Sequence, residues 1–456
     1  MNEPAANTIY ARATAPGRAA LAVIRLSGPD CIAALSALGA GCPPPRQASV
    51  RRLADPESGR LLDEALVIYF TAPHSYTGED VLELHLHGGE AVVASILDAL
   101  ARQPQCRAAA PGEFTRRAVL QGKLDLTRAE AVADLIDAET TAQQHQALGQ
   151  LGGNLRDLFD GWRADLHEAL AHLEADLEFA DEDLPGGIGR AALARLPALR
   201  AAVDAYIGDA RGLRVREGVR VALLGAPNVG KSSLLNRLAG RNAAIVSARA
   251  GTTRDIIEVA MTLAGVPVAL VDTAGLRAAG DDIEREGVRR ALAAAREADI
   301  RVLVTAPDAT EDADKGIPAE HGDLPPAAFL LKNKADLQPI DTGANTNIET
   351  DSDADNIYSV SALTGAGIDG FVTALSALIQ HRYASSGSAV LTRQRHQTIL
   401  TEVRAGLDRA IDAEARGLEL AAEDLRLAAR ALGRLTGAVD VEALLDIVFA
   451  DFCIGK

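Results

Sequence analysis

From Val81 to His87 apolar and polar residues alternate strictly, with Leu82, Leu84 and Leu86 on one side and Glu83, His85 and His87 on the other. A period of two is that of a strand with one buried face. The runs Leu21–Leu26 and Ala65–Phe70, bounded by Gly, Pro and Ser, also predict strands, so the first part of the chain reads as α+β. Beyond Leu124 the period changes. Leu155, Leu158, Phe159, Trp162, Leu166, Leu170, Leu173 and Leu177 recur at helical spacing and predict a long helix, broken by Pro185-Gly186-Gly187. Between Glu217 and Arg382 short apolar strands (Arg220–Leu224, Val268–Val271, Arg301–Val304, Ala328–Leu331) alternate with helical stretches, the signature of a parallel α/β domain. The polar stretch Asp341–Asn356 reads as a loop. After the linker-like Ser385-Ser386-Gly387-Ser388, helical spacing resumes through Leu400, Val403, Leu407, Ile411, Leu418, Leu425, Leu432 and Leu435. Each helical half alone buries little. The two are expected to pack together, making the α/β domain an insertion; two separate small bundles are the alternative.

Composition narrows the class. At 456 residues the chain exceeds one hydrophobic core, and domains of about 100–200 residues predict two to four. Aromatics are only 3%, so the cores must be built from Ala, Leu, Val and Ile. A net charge of −17 is opposite in sign to the basic footprint of a protein that grips nucleic acid unaided. If RNA is a target, local basic patches or a partner must supply the contacts. Cys31, Cys42, Cys106 and Cys453 form no C-x-x-C pair, which argues against zinc, and their scarcity suggests a reducing compartment. The first residues lack the basic and apolar regions of an export signal, and no uncharged apolar run approaches the ~18 residues of a membrane span. A cytoplasmic protein without membrane contact is expected.

The chemistry lies in the α/β region. Gly225-Ala226-Pro227-Asn228-Val229-Gly230-Lys231-Ser232 fits G-x-x-x-x-G-K-S/T between a strand and a helix beginning near Ser233. Glycines let backbone N–H groups approach phosphates, and the helix N-terminus favours the anion. Lys231 is expected on the β- and γ-phosphates and Ser232 on Mg2+. Asp272-Thr273-Ala274-Gly275 ends an apolar strand, where Asp272 can hold the Mg2+ shell and the Gly275 N–H can meet the γ-phosphate. Asn333-Lys334-Ala335-Asp336 follows another strand. Asp336 can accept from the guanine N1–H and 2-amino group, a pair adenine does not offer. Ser361-Ala362-Leu363 would bring a backbone N–H to the guanine carbonyl. These motifs in this order predict a Ras-like GTPase domain. Leu276 stands where Ras-like proteins carry a glutamine that orients water, so Asp281, Asp282, Glu284 and Glu286 become candidates for that work. Gly251-Thr252-Thr253-Arg254-Asp255 lies where a mobile switch would sit, with a threonine to complete the Mg2+ shell.

With these motifs in place, nearly the whole chain resembles the MnmE (TrmE) family of tRNA modification GTPases. The resemblance rests on Pro16-Gly17-Arg18 with Ile24-Arg25-Leu26-Ser27-Gly28, and on Tyr76-Thr77-Gly78-Glu79-Asp80 through His87-Gly88-Gly89. It rests also on Pro111-Gly112-Glu113-Phe114-Thr115 through Gly122-Lys123-Leu124-Asp125-Leu126, on the GTPase motifs, and on the terminal Phe452-Cys453-Ile454-Gly455-Lys456. It implies a multidomain α/β architecture. An N-terminal α+β domain (1–123) would dimerise and bind a tetrahydrofolate derivative, 5-formyl- or methylene-tetrahydrofolate. A helical domain (124–216 and 383–456) would carry the inserted GTPase domain (217–382). Arg25, Glu83, Lys123 and Lys456 match folate-contacting positions. The polar face of Val81–His87 supports this in part; the alternatives are a solvated face, or Glu83, His85 and His87 as metal ligands.

The resemblance further implies a GTPase activated by K+ and by pairing of two GTPase domains. Asn228 matches the K+-coordinating asparagine, with backbone oxygens near Ser247, Arg249 and Thr252. The loop Ser247-Ala248-Arg249-Ala250-Gly251-Thr252 would thus line the GTP site, Thr253 would be the switch threonine on Mg2+, and Glu284 would position the water. Cys453 matches a cysteine needed for tRNA modification, as a nucleophile or in a packing or folate-pocket role. With an MnmG-like FAD-binding partner, in a heterotetramer or larger complex, the family adds an aminomethyl or carboxymethylaminomethyl group to C5 of the wobble uridine of certain tRNAs. Ala19-Ala20 replaces a family glycine pair and Ala110 replaces an arginine, which puts ligand affinity in question. The rival readings are an assembly or signalling GTPase without modification chemistry, and a folate-dependent transferase acting on a small acceptor.

Overall fold

The computed structural model describes residues 7–178, 188–226, 228–241, 257–272, 293–307, 326–337, 356–383, 390–412 and 417–439, with 445, 448–449, 452 and 454–455 near the end. By its contacts the chain forms two compact units. One comprises residues 1–133, 150–201 and 399–456; the other comprises 134–149 and 202–398.

In the first unit the strands β1 (Thr8–Arg12), β2 (Leu21–Ser27), β3 (Ser49–Ala54), β4 (Leu61–Phe70), β5 (Val81–His87) and β6 (Cys106–Ala108) form a sheet ordered β3-β4-β5-β2-β1-β6. The β1/β6 pair is parallel and the others are antiparallel. Alternation decides which face is buried. Ile24, Leu26, Val67, Leu82, Leu84 and Leu86 pack with Cys31, Leu35, Ile96 and Leu100 of the helices Cys31–Ala37 and Glu90–Ala101. Burial pushes the Cys106 thiol up to about 11, so it serves as a small apolar side chain. β4 begins at Leu61, before the expected Ala65, because Leu61–Asp63 pair with Leu53 and Ala54 across a register shift.

The predicted long helix is Asn154–Glu178, buried through Leu155, Phe159, Trp162, Leu166, Ala169 and Leu173. It packs with the helix Leu418–Thr436. Arg426 reaches Glu174 between them at 2.8 Å. These two helices, one from each side of the α/β region, thus lie in one compact unit. Phe449 and Phe452 pack edge to face and lie with Leu126 and Ala129 in a small core.

In the second unit β7 (Val219–Leu224), β8 (Ile257–Leu263), β9 (Val266–Asp272), β10 (Ile300–Thr305), β11 (Phe329–Lys332) and β12 (Ile357–Ser359) form a sheet ordered β12-β11-β10-β7-β9-β8. Only β8 runs antiparallel. The chain leaves β7 toward β8 and β9 on one side, then returns to build β10, β11 and β12 on the other. In open α/β sheets, ligands bind beyond the carboxyl ends of the strands where the order reverses. Here that point is the end of β7. No helix among the described residues is long and apolar enough to cross a membrane.

Candidate functional site

The loop after β7 is shaped by backbone that only certain residues accept. Gly225 has φ +144° and Gly230 φ +92°, and a Cβ on Gly225 would fall 2.1 Å from the Val304 carbonyl oxygen. A Cβ on Gly230 would fall 2.3 Å from Asn333 Nδ2. Asn228 adopts the left-handed region at φ +66°, which short polar side chains tolerate. The helix Lys231–Arg241 then begins, so its first-turn N–H groups face the loop. Lys231 is buried, and its Nζ donates to the carbonyl oxygens of Gly225 (2.6 Å) and Ala226 (2.8 Å). A bound phosphate would compete for those donors with a full negative charge.

The remaining described motifs converge on this loop. Asp272, the last residue of β9, is 0% exposed and accepts from Ser232 Oγ at 2.5 Å. A hydroxyl and a carboxylate side by side are the oxygen donors that Mg2+ takes. Asn333, directly after β11, donates from Nδ2 to the Val229 carbonyl (2.8 Å) and accepts the Ala362 N–H at Oδ1 (3.0 Å). One amide therefore ties the phosphate loop to the loop after β12. Ser361, also buried, donates to Asp336 Oδ1 at 2.5 Å, and Lys334 holds φ +60° beside it. Asp336 and Leu363 are exposed, at the open side of the site. Thus Asn228, Val229, Gly230, Lys231, Ser232, Ser233, Asp272, Asn333, Lys334, Ala335, Asp336, Ser361, Ala362 and Leu363 gather at one end of the sheet. Ser247, Ala248, Arg249, Ala250, Gly251, Thr252, Thr253, Thr273, Ala274, Gly275 and Glu284 lie outside the described residues.

In the first unit a second, half-buried cluster stands on the face of the sheet away from the helices Cys31–Ala37 and Glu90–Ala101. Arg25 and Glu83 are register partners on β2 and β5. Arg25 donates from Nε (3.1 Å) and Nη2 (3.0 Å) to Glu83 Oε1, and His85 Nε2 lies 3.1 Å from Oε2. The Arg25 guanidinium also stands 5.7 Å from the Tyr76 ring and 5.9 Å from Phe114. Burial pushes the Tyr76 phenol above its usual pKa, and its hydroxyl pairs with Thr115 at 2.8 Å. Glu113 carries opposing influences. Burial raises its pKa, but bonds from Arg107, the Ala110 N–H and Arg117 outweigh that and hold it below the usual carboxylate range. Lys123 Nζ donates to the Pro73 carbonyl at 3.0 Å. Gly455 lies against the Arg12 carbonyl, where a Cβ would come within 2.1 Å, so the end of the chain reaches the rim of this sheet. Cys453 and Lys456 themselves lie outside the described residues.

The metal-ligand alternative for Glu83, His85 and His87 is corrected. Same-face strand residues stand about 7 Å apart, so their side chains would have to turn toward one another to share an ion. His87 turns instead to the buried Asp63, pairing through Nδ1 at 2.7 Å, while His85 turns to Glu83. No group of three or more His, Cys, Asp or Glu that could hold a metal occurs among the described residues. The sequence did carry a signal for Asp63: a carboxylate at a core-face position of β4. Tyr76 and Phe114 stood in the quoted motifs without a role, and nothing local marked Arg237, whose Nη2 donates to the Leu363 carbonyl at 3.0 Å.

A parallel sheet with a phosphate loop at its reversal point, a buried Asp–Ser pair and a guanine-type Asn-Lys-x-Asp loop defines a GTP-hydrolysing P-loop protein, here joined to an α+β domain and a helical body. Two family models match: "GTP-binding protein TrmE N-terminus" over residues 8–123 and "MnmE helical domain" over residues 126–453. The chain belongs to the MnmE family. It is 52% identical to the tRNA modification GTPase MnmE of Parvibaculum lavamentivorans, over 98% of this chain and 100% of that one. It is 50% identical to the protein of the same name from Paramagnetospirillum magneticum, over 98% and 99%. The crystal structure of the G domain of the T. maritima FeoB iron transporter is 24% identical, with a TM-score of 0.24, over 35% of this chain and 98% of that one; so slight a likeness carries no weight for the fold.

Proposed function

We propose that this GTPase acts in tRNA modification, at C5 of the wobble uridine, where a carboxymethylaminomethyl or aminomethyl group is installed together with an MnmG-like FAD-binding partner. The observation that carries the GTP side is the convergence on Asn333, which joins Val229 to Ala362. Lys231 and the loop N–H groups bind the phosphates, and Asp336 with the Ser361–Leu363 loop selects guanine. Ser232, Asp272 and Thr253 would hold Mg2+, which neutralises charge on the phosphate oxygens when bound. Asn228, with Ser247, Arg249 and Thr252, would hold K+, and Glu284 would orient the attacking water.

Arg25, Glu83, Lys123 and Lys456 form the proposed folate site. Its support is the half-buried Arg25–Glu83 pair, with Tyr76 and Phe114 beside it. An acid-bearing ligand finds guanidinium and ammonium donors there, and a ring bearing N–H groups finds a carboxylate. Cys453 would take part in the modification step. The homodimer is supported by the same face, where Leu21, Val50 and Leu66 are exposed. The net charge of −17 supports tRNA binding that depends on the partner. Domain limits at 1–123, 124–216 with 383–456, and 217–382, and a cytoplasmic location, complete the proposal.

The deciding experiment compares GTP hydrolysis in KCl and NaCl at equal ionic strength, with Asn228→Ala and Glu284→Ala beside the parent. Stimulation by K+ that disappears in Asn228→Ala, with Glu284→Ala slow in both salts, is expected. Equal rates in both salts, unmoved by either substitution, would remove the ion and the glutamate from the mechanism.

A further inference from the structure

The loop that follows β12 is held from several sides. The Ser361 N–H donates to the Ala366 carbonyl, and the Ser361 carbonyl accepts from Gly365 (2.8 Å). Ser361 Oγ bonds Asp336 and accepts the Thr364 N–H at 3.1 Å. The Ala362 N–H is taken by Asn333. These bonds fix the first half of the turn. Leu363 differs: its side chain is 78% exposed, so packing does not locate it. What reaches its carbonyl, at 3.0 Å, is the Arg237 guanidinium, from the helix that begins at Lys231. Arg237 is half-buried, and its Nε is buried without a hydrogen-bond partner among the described residues.

We propose that Arg237 is a positioning residue for guanine recognition. It ties the Leu363 peptide to the phosphate-binding helix and so sets the turn whose backbone N–H meets the 6-oxo group of the base. The inference rests on reading Ser361–Leu363 as the guanine loop. A guanidinium is suited to the task because its donors are spread in a planar fork and it stays charged at any working pH.

The test is nucleotide binding by the full-length protein, measured for GDP, IDP and the diphosphate of 2-aminopurine riboside. GDP and IDP both carry the 6-oxo group; the 2-aminopurine nucleotide lacks it. Arg237→Ala is expected to weaken GDP and IDP by the same factor, about five- to tenfold for one charge-assisted bond, and to leave the 2-aminopurine nucleotide at parental affinity. Arg237→Lys keeps a donor but loses the fork, and should recover part of the GDP affinity; it carries the test if the alanine variant folds poorly. Equal weakening of all three nucleotides, or no change in any, would overturn the proposal. Asp336→Asn runs in parallel and should shift preference from GDP toward XDP, whose 2-oxo group accepts where guanine donates. If that shift occurs and Arg237→Ala is silent, the Arg237 inference alone fails; if the shift is absent, the guanine reading fails and takes the inference with it.

Discussion

The two clusters are built in opposite ways. In the parallel sheet the working groups sit on loops beyond the strand ends, and many are backbone atoms released by Gly225 and Gly230. In the N-terminal sheet they are side chains standing on the strands, brought together by the β2/β5 register. A loop site can wrap a polyanion with N–H donors that cost no side-chain entropy. A strand-face site offers a flat platform, and its specificity comes from which residues face each other across the sheet.

That contrast can be broken at its strongest point first. Lys231→Ala should lower GTP hydrolysis by about 10²–10³-fold, the scale for removing one charge-stabilising donor, while leaving binding of 5-formyltetrahydrofolate unchanged. Parallel turnover and folate titration would check both halves. Next, Gly230→Ala should act through geometry alone, because the new Cβ would strike Asn333 Nδ2 at 2.3 Å. Losing the Asn333–Val229 bond costs about 1–3 kcal/mol, so GDP affinity measured by calorimetry should fall by about 5- to 150-fold. A variant that binds GDP normally would refute the bridging role of Asn333.

The strand-face site is probed by Arg25→Ala, which leaves Glu83 without its arginine. The dissociation constant for 5-formyltetrahydrofolate should rise by about tenfold or more, with GTP turnover at the parental rate. A fall in GTP turnover without a change in folate binding would reverse the assignment.

The smallest effect concerns acid stability. Glu113 has a folded-state pKa below its usual range, so the stability it contributes is complete above the unfolded pKa of ~4.3 and is lost as the pH falls through the lower folded value. The melting temperature of the parent should therefore decline below about pH 5 more steeply than that of Glu113→Gln, which starts lower and varies less. Parallel slopes would mean that Glu113 holds its arginines no better charged than neutral.

Much of the nucleotide site was legible in the string because its parts are local. A phosphate loop is consecutive residues between a strand and a helix, and Asp272, Asn333 and Ser361 each sit at or just after a strand's end. Alternation in Val81–His87 put Glu83 on the polar face of its strand but said nothing of register; the family resemblance placed Arg25 and Glu83 among folate-contacting positions, and their pairing comes from the sheet. Alternation also left His87 beside His85 and Glu83 in one reading, and only the buried Asp63 on β4 separates them.

By itself the sequence determined the class of each segment, the phosphate loop and the guanine-type loop. Hydrophobic period and short-range backbone constraints act within a few residues, so they can be read in one dimension. The tertiary structure decided which side chains meet: Arg25 with Glu83, Asn333 with both Val229 and Ala362, and Arg237 with Leu363 across 126 positions of chain. Such contacts depend on strand order and register, which arise when the whole sheet packs and which no local pattern encodes.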